Sequence, residues 1–360
     1  MTSRNSSNPS SERAQRLPVA SKVIPSSYTP WIKKTAWALA IANIFLIISG
    51  GVVRLTGSGL GCDTWPKCTS DGSWTTTPEM GIHGLVEFGN RLLTFVLVII
   101  TIVAFITILG IVFPQRVSAG FFVKKLIFGA RAHESRYADL FNLTLLLLWG
   151  IPVQAVVGGI SVWQKLNPWM VTAHYILSAI MIALAAIYLN RIYRYFGGTA
   201  QAEGLAAEAP REGSGLMRVL GWLGFALVAA LIFMGTVTTG TGPHAGDAET
   251  HRHAFDPVLV TRLHGTLVWT YCATLLAFFV LVRKYALAPI FTKSLFWVLL
   301  VLGYQAVVGY TQYFNGLPAW LVEFHLIGSG IFSLAAASLI ERQLVLSSAA
   351  SRKRALERIS

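Results

Sequence analysis

Four histidines in this sequence stand where the iron of a porphyrin could be held. His83 and His264 are each followed by glycine, and His174 and His325 each lie five residues after a tryptophan, Trp169 and Trp320. All four fall inside or at the edge of long apolar runs, where an ionisable side chain is costly and usually functional. Two imidazoles facing each other across a four-helix bundle can supply both axial ligands of an iron porphyrin. Gly84, Gly158, Gly159, Gly265 and Gly309 would leave room for a bulky planar ring. A lone histidine here reads more simply as a core residue bonded to a carbonyl or hydroxyl. Four at corresponding places favour ligation.

A carboxylate accompanies only one of these pairs. Glu87 follows His83 by four residues and so shares its helical face, with Asn90 and Arg91 within side-chain reach. The corresponding positions further on are Val268, Tyr271 and Cys272. One site is therefore reactive in character and the other electron-storing or structural. Glu87 could move protons or stabilise a developing cation beside the porphyrin; the plainer alternative is a surface ion pair with Arg91. Cys62 and Cys68 share a loop, as a disulfide or as a thiol pair for redox exchange; Cys272 reads as core packing. His244, His251 and His253, with Asp247 and Glu249, have spacing that could hold a metal, but an exposed polar loop is the expectation. His133 reads as a solvated loop residue.

The elements that position these groups follow from composition. Of 360 residues, 54% are hydrophobic and 12% charged, about half the charged share of soluble domains. Apolar runs of about 20 residues cross a bilayer as helices, because a helix satisfies its own backbone polar groups. Eight spans are expected, at 36–54, 85–113, 140–163, 168–193, 216–239, 258–282, 293–314 and 319–346. The net charge of +13 would suit nucleic acid if it were spread over a soluble surface. Instead the basic residues sit at alternate span ends, so a nucleic-acid partner is not expected. By the positive-inside rule, both termini face the cytoplasm. Residues 1–30 lack an apolar core and are not a secretory signal; a cell-membrane protein is preferred over a mitochondrial one.

An internal repeat divides the chain. Gln154-Ala-Val-Val-Gly158 returns as Gln305-Ala-Val-Val-Gly309, and Thr56-Gly-Ser-Gly59 resembles Thr239-Gly-Thr-Gly242. The fold class expected is all-α integral membrane, with eight transmembrane helices as two tandem pseudo-symmetric four-helix bundles. These are 31–196 and 216–346, joined by a linker at 197–215 and flanked by cytoplasmic tails at 1–30 and 347–360. The repeat places all four histidines at one depth near the outer surface.

The chain resembles the haem A synthases of cytochrome oxidase assembly. The resemblance is carried by Gly50-Gly-Val-Val-Arg54-Leu-Thr-Gly-Ser-Gly59, Cys62…Trp65-Pro66-x-Cys68, Glu87-x-x-Asn90-Arg91, Gln154-x3-Gly158-Gly159, and the contexts of His174, His264 and His325. It covers nearly all of 36–346. It implies oxidation of a haem O methyl group to a formyl, giving haem A. Haem O would sit in the N-terminal half and a haem b cofactor in the C-terminal half. It further implies Glu87 as the acidic catalytic residue, Asn90 and Arg91 beside the haem, and a Cys62–Cys68 disulfide as in many bacterial members. Expected partners are haem O and haem A, membrane lipid, the enzyme making haem O, and oxidase assembly factors. Many members carry a ligating histidine where this chain has Asn90; His83 is the expected substitute. The rival expectation is a di-haem b-type electron carrier or quinone oxidoreductase, and a haem transporter or chaperone comes third.

Overall fold

A computed structural model of the chain describes residues 27–114, 119–197, 213–247, 250–285, 287 and 289–347. Eight of its helices are long and apolar enough to cross a membrane. In chain order they are α1 (Pro30–Leu55), α2 (Gly81–Val112, entered through a 3-10 turn at Pro78–Met80), α4 (Ala138–Trp163), α5 (Pro168–Phe196), α6 (Ser214–Thr241), α7 (Pro257–Lys284), α8 (Pro289–Phe314) and α9 (Ala319–Leu346), with a short helix α3 (Ala119–Phe128) between α2 and α4. All eight expected spans are present, and the described residues contain no strand. The first begins at Pro30, ahead of the expected 36, because proline is pre-organised for the first helical position. The ten-residue α3 had no span signature to announce it. The expected tails and linker lie almost wholly outside the described residues.

Helix starts are set locally. The Asn167 side chain accepts from the Trp169 N–H at 3.0 Å ahead of α5. Asp256 caps α7 by accepting from Val258 and Leu259 at 2.7 and 3.1 Å. A proline follows each cap, where its missing N–H costs nothing. The tight α8–α9 turn passes through Gly316 and Leu317 in the left-handed region.

Helices α1, α2, α4 and α5 pack as one ring, and α6 to α9 as another; α5 touches both α6 and α9, and α1 touches α9. Each ring has its own apolar core, and each core occupies one end. The first is built from Leu39, Phe105, Ile108, Phe141, Leu147 and Tyr188 among others. The second is built around Tyr271, Phe278, Phe291, Val298 and Leu339. These residues lie toward the end opposite the Cys62–Cys68 loop.

The rings are also tied by charge at that core end. Glu341 of α9 is buried and lies 2.9 Å from Arg194 Nη2 and 3.6 Å from Arg191 Nε, both of α5. Asn190 donates to Glu341 at 3.3 Å and accepts from Arg342 at 2.9 Å. A buried carboxylate needs such partners to offset its desolvation.

Candidate functional site

The histidines stand at the other end, beyond the packed cores. His264 of α7 and His325 of α9 both have an Nδ1 that is buried and without a hydrogen-bond partner. Each faces a glycine: a Cβ on Gly235 would stand 3.3 Å from His264 Cε1, and one on Gly309 the same distance from His325 Cε1. That is tighter than ordinary contact, so both rings are seated on bare backbone. Buried imidazole nitrogens are normally paired. Two histidines on opposite helices of one ring, each with an unpaired Nδ1, suit a shared ligand that takes imidazole donors, as a porphyrin iron does.

In the first ring His174 of α5 is seated the same way, with Gly158 of α4 opposite; a Cβ there would stand 3.0 Å from His174 Cε1. Gln154 lies beside it and, with its NH2 turned toward the ring, donates to His174 Nδ1 at 3.1 Å while its carbonyl accepts from Ser178 Oγ at 2.6 Å. A histidine bonding metal through Nε2 carries its proton on Nδ1, which asks for the opposite amide orientation. His83, exposed on the first turn of α2, pairs through Nδ1 with Ser58 Oγ at 2.9 Å, and Ser58 pairs with Thr56 at 2.8 Å. That bond leaves His83 Nε2 as the ring's second nitrogen for a ligand. Asn90 is engaged elsewhere: its Oδ1 accepts from Ser49 of α1 at 2.7 Å.

Glu87 is 5% exposed; the ion pair with Arg91 that spacing allowed is present, with its carboxylate buried. Arg91 Nη2 donates to its Oε1 at 2.5 Å, and the Cys62 main-chain N–H donates to its Oε2 at 2.6 Å. Arg91 also donates to the carbonyls of Thr64 and Lys67 at 3.0 and 3.2 Å. Cys62 and Cys68 are joined as a disulfide, which removes the free-thiol alternative for this state. In the second ring the position matching Asn90 is Tyr271, buried at 1% exposure and edge-on to Phe332. The chemical asymmetry of the two rings is thus visible in the side chains.

The loop between α6 and α7 corrects an expectation. It is not simply exposed: His253 is 7% exposed, edge-on to Trp169 at 4.4 Å, with its main-chain N–H donating to the Gly240 carbonyl at 3.1 Å. His244 Nε2 pairs with the Leu317 carbonyl at 2.7 Å, while His251 is exposed. Among the described residues no three His, Cys, Asp or Glu side chains converge as a metal-ion site; Glu249 lies outside them. Cys272 is half-buried against the second core.

Sequence reasoning passed over two residues here. Arg54, in the last turn of α1, donates to the carbonyls of His244 and Thr239 at 2.7 and 3.0 Å, binding the first ring to the α6–α7 segment. Glu323 of α9 has both carboxylate oxygens buried without partners, against Gly51 of α1, where a Cβ would collide with it. Its one available signal was a carboxylate inside an apolar span; the repeat gives it no counterpart, since the matching residue is Thr172.

Over residues 33–337 the chain matches the family model described as cytochrome oxidase assembly protein. It is also 37% identical over 67 residues to a protein named Heme A synthase from Geobacillus kaustophilus (strain HTA426). That alignment covers 18% of this chain and spans only 19% of the relative's length.

Proposed function

The chain belongs to the cytochrome oxidase assembly family, and from that premise we propose that it is a haem A synthase, oxidising the ring methyl of haem O to the formyl of haem A. The observation that carries this reading is the His264–His325 pair, two imidazoles with buried, unpaired Nδ1 atoms, each seated on a glycine beyond the end of the packed core. This donor set fits a porphyrin iron. Bound between them, haem b would supply an electron-transfer centre.

The first ring would hold the substrate haem. His174 on its glycine seat and His83, oriented by Ser58, are its candidate imidazoles, and Asn90 lines the site while tied to Ser49. Glu87 is the reactive group. Held at one oxygen by Arg91 and at the other by the Cys62 N–H, it accepts a proton released at the methyl carbon or stabilises positive charge developing there. The second ring has apolar packing at that place. Such asymmetry suits one reacting site served by one electron-transfer site, and a pure carrier has no need of it. On this reading the rings are tandem repeats, 31–196 and 216–346.

Lys33, Lys34, Lys124, Arg131, Arg191, Arg194, Arg283 and Lys284 all stand at the core end. That supports a cytoplasmic core end, an outer histidine end and location in the cell membrane. The enzyme making haem O and oxidase assembly factors are its expected partners. Haem extracted from cells lacking the protein tests the reading. Loss of haem A with build-up of haem O is expected; an unchanged haem A content would overturn it.

A further inference from the structure

The Cys62–Cys68 loop grips α2 through main-chain atoms. The Cys62 N–H reaches Glu87 Oε2, and the Thr64 and Lys67 carbonyls hold the guanidinium that donates to Glu87 Oε1. Both oxygens of the carboxylate therefore depend on the path of this loop. The path is fixed on its other side by α4. Trp65 fills the groove left by Gly159, where a Cβ would run into the indole. The Trp65 carbonyl accepts from Trp163 Nε1 at 3.0 Å, and the two indoles meet edge-on. Main-chain contacts carry no side-chain identity, so what maintains them is whatever closes the loop, and here that is the disulfide.

We propose that Arg91 and the disulfide-closed loop are the positioning elements for Glu87, and that the thiol–disulfide state of Cys62 and Cys68 sets how firmly the carboxylate is held. The proposal rests on the reading of Glu87 as the acid of the substrate site. Reduction by an external dithiol passes two electrons and two protons to the pair. The Sγ–Sγ bond breaks to two thiols, and the dithiol closes to its own disulfide. The loop then holds its path only by ordering a freer chain, and Glu87 loses the Cys62 N–H. Coupling of this kind is reciprocal: what the closed loop does for the Glu87–Arg91 contacts, those contacts do for the disulfide.

The test is a thiol–disulfide titration of the full-length protein in dithiothreitol buffers, with the thiol state read by alkylation and mass. Arg91→Ala is expected to shift the equilibrium about tenfold toward the thiols, the size of one charge-assisted hydrogen bond, which is ~30 mV for a two-electron couple. Glu87→Gln shifts it less in the same direction, Arg91→Lys falls between, and Trp269→Ala, an exposed residue of α7 in the other ring, leaves it unchanged. Reduction should also lower the kcat of the wild-type protein with haem O at constant KM, without lowering further the residual rate of Glu87→Gln. If Arg91→Ala fails to fold, Arg91→Lys carries the comparison. Titrations of the arginine and Glu87 variants that all match wild type would overturn the proposal. The titration needs no turnover, so a shift persisting with a Glu87 that proves idle would remove the assigned role and keep the coupling.

Discussion

His325 turns its Cε1 edge onto Gly309, close enough that a methyl group on that glycine would stand 3.3 Å away. Gly309→Ala must therefore displace the imidazole or the helix behind it, and overpacking of this kind costs about 1–3 kcal/mol. We expect the variant to fold but to lose much of its b-type absorption spectrum. Gly158→Ala, with a 3.0 Å approach to His174, should act on the first-ring haem alone. A normal haem spectrum in both variants would contradict the seating.

His264→Ala and His325→Ala should each abolish the second-ring haem signal, because either leaves the iron with one imidazole. His83→Ala should change the spectrum of the first-ring haem and leave the second intact. Low-temperature optical and electron paramagnetic resonance spectra separate the two. An unchanged first-ring signal in His83→Ala would remove that ligand and leave His174 alone.

Glu341 is buried between Arg191 and Arg194 on the seam between rings. Glu341→Gln leaves the Arg194 guanidinium without its carboxylate, while Arg191 keeps Asp139 at 3.1 Å. The arginines are partly exposed, so the expected loss is about 2–3 kcal/mol, below that of a fully buried pair. A lowered midpoint of thermal unfolding in detergent checks it; wild-type stability would show that the seam is held by apolar packing.

The Lys125–Glu134 pair, in the loop between α2 and α4, gives a pH prediction. The Arg131 N–H, and then Lys125, hold the Glu134 carboxyl below the usual carboxylate range. A depressed folded-state value means the contact contributes fully above the ordinary glutamate value of about 4.3. Its contribution fades as pH falls from there through the lower folded value. Trp149, whose indole donates to the Leu126 carbonyl at 3.1 Å, reports the docking of α3. Its emission should shift only on such acidification, and at neutral pH in Glu134→Gln. Emission insensitive to both would contradict the link.

The spans were legible because eight apolar runs carry their own length signal, and the histidines because they recur in register. The Glu87–Arg91 pair was legible from helical spacing alone. Its third partner was not, since the Cys62 amide is a main-chain group that any residue could supply. The Glu341 network joins residues about 150 positions apart with no shared motif, and His253 lay hidden because its loop reads as polar although tertiary packing buries it. Glu323, unlike the histidines, has no repeat partner to draw the eye.

The central claim is tested most directly by extracting and chromatographing the haems of the purified protein beside its Glu87→Ala variant. Haem b together with haem O or haem A in the wild type, and haem A absent from a variant that still holds haem b, is the result predicted. Haem b alone in both would make the chain a carrier, and no haem in either would contradict the histidine sites altogether.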